Sequence, residues 1–384
     1  MRVNAFATDG LKKLHTAFET EGFTLYFVGG MVRDLILGHS PKDVDLTTSA
    51  SPDEQVEVYE KHGFSYHLTG LQHGTITVIV DGEPTEITSM RTENAHDGRH
   101  ATVQYVKDLN VDLARRDLTF NAMALDFDGN LHDPFGGKAD LLAGRVRFVG
   151  SAKDRMVEDY LRILRWVRFH GRFGKGAMDQ EAFNAADQVG HGLKSISRER
   201  IWSEVQKIIC LPNGPDLMGY LSRFSDHIDL PLPKHCHLRS IPVDVDVEPV
   251  VRVAAFTGYD EDMVGDIARN WKWSNDEGML GKWVARERKA FDGDFVWMLA
   301  YREIDPHYVI QLAKTMNLQD EVYELTRRKL PVCPVRGGDI AKMGIRGKDV
   351  GMLHEQVRLS WARSDYRKSF DELIAEVKSK MHIE

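Results

Sequence analysis

The chain has 384 residues, 42% hydrophobic and 28% charged, which is enough apolar material for two or three packed domains and unlike the composition of a disordered chain. Its longest apolar runs, such as Phe295 to Tyr301, fall far short of the ~20 residues that span a bilayer, and no basic-then-apolar signal opens the sequence, so neither a membrane nor a secretory role is expected. A net charge of -8 excludes a protein coated in basic surface, so any nucleic-acid contact needs a local basic stripe. Cys210, Cys236 and Cys333 are too scattered for a CxxC metal site or a disulfide framework, which suits a reducing compartment, either the cytoplasm or an organellar matrix.

Period-two apolar patterning alternates with helix signals over the first 150 residues, predicting a mixed α/β domain. Tyr26-Phe27-Val28-Gly29-Gly30-Met31-Val32-Arg33-Asp34 reads as a strand that runs through two glycines into a helix. Such a junction points backbone N–H groups toward a triphosphate, with Arg33 one turn in to add charge, although the same pattern also serves as ordinary turn chemistry.

Lys42-Asp43-Val44-Asp45-Leu46-Thr47 follows about a dozen residues later. On a strand, residues i and i+2 project from one face, so Asp43 and Asp45 would set two carboxylates side by side. Like charges so close call for a cation between them, and hard oxygen ligands that leave room for substrate phosphates suit Mg²⁺. Two such ions ~4 Å apart can activate a 3′-hydroxyl and stabilise departing pyrophosphate. Glu86, in Thr85-Glu86-Ile87-Thr88, is the candidate third carboxylate, since a neighbouring strand could bring it beside the pair.

Arg116 and Asp117, adjacent in sequence, can serve a nucleotide at both ends: the guanidinium reaches phosphate or base, and the carboxylate accepts from ribose hydroxyls. From about Ser151 the sequence turns helical. One helix is predicted over Asp154 to Phe173, with Tyr160, Ile163, Leu164 and Val167 buried and Asp159, Arg162 and Arg165 on a second face. Asp159 can accept from an exocyclic amine and Arg162 can donate to a ring acceptor, so the two could read the edge of C or A, each good bidentate contact discriminating by roughly 1–3 kcal/mol. A further helix is predicted over Ser197 to Cys210 with Ser197 as its N-cap, and prolines 231, 233, 242 and 249 mark a long loop.

Taken in order, these segments resemble a known family. The Gly-Gly junction followed by the DxD strand is similar to the DNA polymerase beta nucleotidyltransferase superfamily. Asp97-Gly98-Arg99, Ala114 to Ala122, Asp133-Pro134-Phe135-Gly136-Gly137 through Arg147, and Glu158-Asp159-Tyr160-Leu161-Arg162 resemble successive motifs of the class II tRNA nucleotidyltransferases, the CCA-adding enzymes. The match runs continuously over residues 20 to 210, and Pro334 to Val350 resembles the family's tail.

The resemblance implies an α+β protein: a catalytic head over residues 1–150 with an antiparallel-rich sheet, then a helical neck (151–212), body (213–330) and tail (331–384). It implies Mg²⁺ as cofactor, tRNA, CTP and ATP as partners, and no membrane, with monomer or homodimer left open. Asp43 and Asp45 take the catalytic and metal-binding roles. Gly30, Arg33, Arg116, Asp117, Asp159 and Arg162 hold and select the nucleotide, and Arg165 and Arg168 match family arginines that contact it. The loop from Arg91 to Arg99 looks intact, which favours addition of C, C and A over CC-addition. Addition of A alone, poly(A) synthesis and non-catalytic RNA binding are the competing readings. The basic stretches Arg286 to Lys289, Arg327 to Lys329 and Lys342 to Lys348 are candidates for tRNA phosphate contact.

Overall fold

Every strand among the described residues lies before residue 133, and the secondary structure described after it is helical. The computed structural model describes residues 7–41, 43–94, 102–242, 244–291, 295, 298–299, 304–327, 332–364 and 366–381. Lys42, the Asp97-Gly98-Arg99 segment, the basic residues 328 and 329 and part of the Phe295 to Tyr301 run lie outside the described residues. The chain divides into two compact units, Met1–Ile208 with Asp226–Ile228, and Ile209–Ser225 with Asp229–Glu384.

The first unit opens with α1 (Asp9–Thr20), β1 (Leu25–Val28), α2 (Gly30–Ile36), β2 (Asp45–Thr48), α3 (Pro52–His62), β3 (Tyr66–His67), β4 (Thr75–Val80) and β5 (Glu83–Ser89). After the separate hairpin of β6 (Arg91–Asn94) and β7 (Thr102–Tyr105) come α4 (Leu109–Ala114), β8 (Ala124–Leu125) and β9 (Leu131–His132). The main sheet has seven strands in the order β3-β4-β5-β2-β1-β8-β9; β2 and β5 run parallel and every other neighbouring pair is antiparallel. This is the mixed, antiparallel-rich sheet expected from the patterning.

Local chemistry explains the elements. In β4, Ile76, Val78 and Val80 alternate inward, as a half-buried strand requires. Leu11, Leu14, Ala17 and Phe18 recur at helical spacing on α1 and are buried. Pro52 starts α3 behind a Ser51–Glu54 capping box, and on that helix Tyr59 Oη donates to Gln55 Oε1 while Gln55 Nε2 donates to Ser89 Oγ, both at 2.8 Å, so a fully satisfied buried chain ties α3 to β5.

The unit closes with α5 (Gly137–Ala143), α6 (Ala152–Glu158), α7 (Leu161–Phe173), α8 (Gln180–Val189) and α9 (Arg198–Ile209). The helix predicted over Asp154 to Phe173 is therefore two helices. Asp159 takes extended backbone angles (φ -151°, ψ 106°), and its Oδ1 accepts from the Leu161 N–H at 3.1 Å, a side-chain bond that competes with helix continuation. Ile163, Leu164, Trp166 and Val167 form the buried face of α7, whereas Tyr160 is half-buried.

The short α11 (Ser225–Ile228) belongs, from Asp226 on, to the first unit, and the second contains α10 (Gly214–Leu221), α12 (Pro249–Phe256), α13 (Glu261–Asn270), α14 (Asn275–Ala290), α15 (Pro306–Lys314), α16 (Gln319–Arg327), α17 (Gly337–Ala341), α18 (Lys348–Arg363) and α19 (Phe370–Met381). Trp271, Trp273 and Trp283 are buried around α13 and α14. Among its described residues the proline-rich stretch carries a short 3₁₀ turn, Leu238–Ser240, and it ends with Pro249 in the first turn of α12, where its missing N–H costs nothing. Ile340, Leu353, Val357, Trp361 and Leu373 join a separate apolar cluster under α17, α18 and α19. No helix among the described residues is long and apolar enough to cross a membrane.

Candidate active site

Strand β1 runs into Gly29, whose backbone (φ 71°, ψ -133°) is open to glycine and strained for other residues. A Cβ there would lie 3.6 Å from both Asp45 Oδ2 and Arg116 Nη1, so bare backbone is seated between a carboxylate and a guanidinium. Gly30 then opens α2. Arg33, one turn in, is buried and engaged: Nη1 donates to Asn121 Oδ1 at 3.0 Å, and Nε and Nη2 donate to Asp34 Oδ1 at 3.2 Å. Burial lowers its pKa against the attraction of Asp34, and Arg172 and Arg168 add repulsion. Arg33 thus presents a cation held in a fixed position.

Asp43 does not lie on the strand, because β2 begins at Asp45 and Asp43 sits in a bend just ahead of it. The two carboxylates nevertheless line the same two clefts, one of about 440 Å³ shared with Gly30, Arg33 and His39, the other of about 730 Å³ shared with Glu86. A third, of about 240 Å³, joins Asp45 and Glu86 to Gly29, Arg115 and Arg116. The parallel pairing of β2 with β5 sets Asp45 in register with Glu86. Loss of hydration raises the Asp45 pKa, Glu86 and then Asp43 push it further, and Arg116 opposes them.

This donor set fits a hard divalent cation. Three carboxylates crowd one another electrostatically with one arginine to offset them, which is the condition a Mg²⁺ ion relieves. Among the described residues no three His, Cys, Asp or Glu side chains converge closely enough to enclose an ion by themselves.

The Arg115-Arg116-Asp117 segment is organised by Asp112, which the sequence reading missed. This carboxylate is fully buried; Arg115 Nε donates to its Oδ1 at 2.9 Å, Arg116 Nη2 to its Oδ2 at 3.2 Å, and the Arg91 backbone N–H to Oδ1 at 3.2 Å. Its signal was present, since Asp112 precedes the arginines by three and four residues, the spacing at which helical side chains meet. Arg116 Nε is buried without a hydrogen-bond partner, and Arg116 lines the smallest of these three clefts.

Asp117 accepts from the Leu118 N–H at 2.8 Å, from Asn121 Nδ2 at 3.0 Å, and on Oδ2 from Arg165 Nε and Nη2 at 2.8 and 2.7 Å. Burial alone would raise its pKa, but Arg165, Asn121 and the Leu118 N–H hold it below the usual carboxylate range. Asp117 and Arg165, expected as separate nucleotide contacts, form one ion pair here.

Asp159 and Arg162 do not bond to each other. Arg200 Nη2 donates to Asp159 Oδ2 at 2.7 Å, while Arg162 Nη1 donates to Glu158 Oε2 at 2.5 Å and to the Arg155 carbonyl at 3.1 Å. Asp159 stands at the end of α6, ahead of α7, instead of on one continuous helix face with Arg162. Arg168 is likewise engaged: its Nε donates to Glu204 Oε2 on α9 at 2.6 Å, and its guanidinium lies 4.2 Å from the Phe169 ring centroid.

The Asp133 to Arg147 motif acts as scaffolding. Asp133 caps α5 through the Gly137 and Lys138 N–H groups at 2.7 and 3.0 Å. A Cβ at Gly137 would fall 2.2 Å from the Thr119 carbonyl oxygen, and buried Asp140 accepts from Thr119 Oγ1 and Arg147 Nε, each at 2.8 Å. The motif therefore fixes the turn that carries Asp117 and Asn121. In the second unit the candidate basic stretches are partly neutralised, with Arg286 on Glu261 and Lys342 on Asp339.

The chain is similar to known proteins over nearly its whole length. Residues 25–147 match the Poly A polymerase head domain. The chain is 38% identical to the mitochondrial CCA tRNA nucleotidyltransferase 1 of Mus musculus over 97% of its own length and 90% of that protein's, and 36% identical to the Homo sapiens protein of the same name over 97% and 90%. In fold it is similar to the Bacillus stearothermophilus CCA-adding enzyme in complex with CTP (TM-score 0.75, 21% identity, 98% of this chain and 99% of the other) and to the Thermotoga maritima CCA-adding enzyme complexed with tRNA (TM-score 0.66, 19% identity, 98% of each). A mixed sheet that sets Asp45 beside Glu86, followed by helices, and near-full-length identity of this degree place the chain in the CCA tRNA nucleotidyltransferase family of the polymerase beta-type superfamily.

Proposed function

We propose that this chain adds C, C and A to the 3′ end of tRNA without a nucleic-acid template, using CTP and ATP and releasing pyrophosphate. The observation that carries the reading is the register of Asp45 with Glu86, beside Asp43 and against the Gly29 backbone. Asp43 and Asp45 are the residues that would hold Mg²⁺, with Glu86 as the third carboxylate. Mg²⁺ bound there supplies Lewis-acid activation of the attacking hydroxyl and neutralises charge on the phosphates.

The rest is work for the chain's own groups. The tRNA 3′-hydroxyl attacks the α-phosphorus in line, and the bond to pyrophosphate breaks with no covalent enzyme intermediate. Gly30 and Arg33 seat the triphosphate in the cleft they share with Asp43 and Asp45. Arg116 holds the nucleotide from its site on Asp112, and Asp117 with Arg165 braces the ribose side. Asp159 and Arg162 select the base with the hydrogen-bonding capacity that their contacts with Arg200 and Glu158 leave unused. Arg168 supports this helix from Glu204.

The head, neck, body and tail boundaries at residues 150, 212 and 330 complete the proposal, with the helical parts gripping tRNA. Setting it in the cytoplasm or an organellar matrix agrees with the mitochondrial names of the two mammalian relatives. Incubation with tRNA transcripts lacking zero to three terminal nucleotides and labelled CTP or ATP tests it. Stepwise restoration of CCA and arrest in EDTA are expected. Incorporation of A alone, a long A tail, or RNA binding without turnover would each replace the reading with the corresponding alternative.

A further inference from the structure

The arginines of α7 fall into two kinds. Arg162, Arg165 and Arg168 are each held by a carboxylate, on Glu158, Asp117 and Glu204. Arg172 continues the series four residues beyond Arg168, is exposed, and has no carboxylate at ion-pair distance among the described residues.

Two further observations say where it points. Arg172 lines the same cleft as Gly30, Arg33, His39, Asp43 and Asp45. Its guanidinium carbon lies 4.8 Å from the centroid of Phe173, and that of Arg33 lies 4.8 Å from the same centroid. One aromatic ring thus braces two cations, a contact that favours each at modest cost in mobility. Arg33 is already paired with Asp34, so of the two cations on this ring Arg172 is the one that lines the cleft without a carboxylate at ion-pair distance among the described residues.

We propose that Arg172, a residue outside the family motifs identified in the sequence, binds the terminal phosphates of the incoming nucleoside triphosphate and holds departing pyrophosphate. The inference rests on the nucleotidyl-transfer reading of this cleft. A planar guanidinium meets two phosphate oxygens at once, and this one is not already spent on a protein carboxylate. Asp159 and Arg162 are not among the residues lining this cleft, so the contact is blind to the base.

Full-length Arg172→Ala and Arg172→Lys enzymes test this on tRNA lacking CCA. The alanine variant should raise KM for CTP and for ATP about tenfold each, a change of ~1.4 kcal/mol, with kcat and KM for tRNA within twofold and with the preference for CTP and ATP over UTP unchanged. Lysine, which keeps the charge without the fork, should recover part of the loss. A binding titration without tRNA separates this inference from the proposed activity: Arg172→Ala should weaken CTP about tenfold and leave CMP unchanged. Equal loss on CTP and CMP, unaltered CTP affinity, or a rise in KM for tRNA alone overturns the phosphate role. If wild type binds CTP yet extends no tRNA, the proposed activity fails while the comparison of CTP with CMP still decides Arg172.

Discussion

Asp159 and Arg162 stand three residues apart yet bond to different partners, Asp159 to Arg200 and Arg162 to Glu158. Both groups proposed to read the base are therefore oriented before a nucleotide arrives, each by a neighbour that leaves part of its hydrogen-bonding capacity unused. A carboxylate offers about four acceptor sites and a guanidinium five donors, so a base edge can be added to these contacts.

Arg200→Ala should loosen Asp159 and blunt selection. The pair is well exposed and contributes at most about 1 kcal/mol to stability, so the melting temperature should change little. Incorporation rates with each of the four nucleoside triphosphates should show discrimination against UTP falling roughly tenfold, within the range one bidentate contact supplies. Unaltered selectivity would mean that Arg200 does not orient the base reader.

Asp117 should make stability pH-dependent. Its folded pKa lies below the ordinary carboxylate range, so its contribution is present above the unfolded value and is lost as pH falls through the folded one. Asp117→Asn should cost roughly 2–3 kcal/mol at pH 7, less than the ~3–5 of a wholly buried pair because Arg165 keeps about a third of its side chain in water. Denaturant titrations of wild type and variant should converge as pH drops below the carboxylate range. A gap that stays constant with pH would contradict the ion-pair account.

Asp112→Asn tests the hidden organiser of the two arginines. The substitution removes a fully buried charge that Arg115 and Arg116 both meet, and should destabilise the protein by about 3 kcal/mol. Because Arg116 then loses its anchor, KM for CTP should rise at temperatures where the variant is folded. Wild-type KM in a folded variant would show that Arg116 is placed by other means.

Glu86→Gln addresses the third carboxylate. Removing its charge relieves Asp45, so the metal-free protein should melt at the same temperature or higher, while CCA addition falls about tenfold to a hundredfold and needs more Mg²⁺ for half-maximal rate. An unchanged Mg²⁺ dependence would remove Glu86 from the site.

The sequence revealed the parts of this site that depend on local pattern. The Gly-Gly junction was legible because a strand-to-helix turn at φ 71° needs glycine, and Glu86 because its segment Thr85-Glu86-Ile87-Thr88 could lie on a strand neighbouring the Asp pair. The parallel register that sets Glu86 beside Asp45 is non-local, and no spacing encodes it. The continuous helix over Asp154 to Phe173 failed for a related reason: apolar periodicity spans the break, and the Asp159 side chain bonding to Leu161 N–H interrupts it without proline or glycine. From α9, Arg200 acts on Asp159 and Glu204 on Arg168 of α7, and nothing in the sequence around either residue announces the partner. Arg172 was not singled out in the sequence at all, and only the cleft and the shared Phe173 ring locate it.

The account turns on the carboxylates at the Gly-Gly junction, and Asp45→Asn examines them most directly. Single-nucleotide incorporation from CTP into tRNA lacking CCA should fall about a thousandfold, ~4 kcal/mol of lost stabilisation of the reaction, with melting temperature equal to or above that of wild type because the repulsion from Glu86 and Asp43 is gone. A folded Asp45→Asn enzyme that incorporates CMP within a few-fold of the wild-type rate would contradict it.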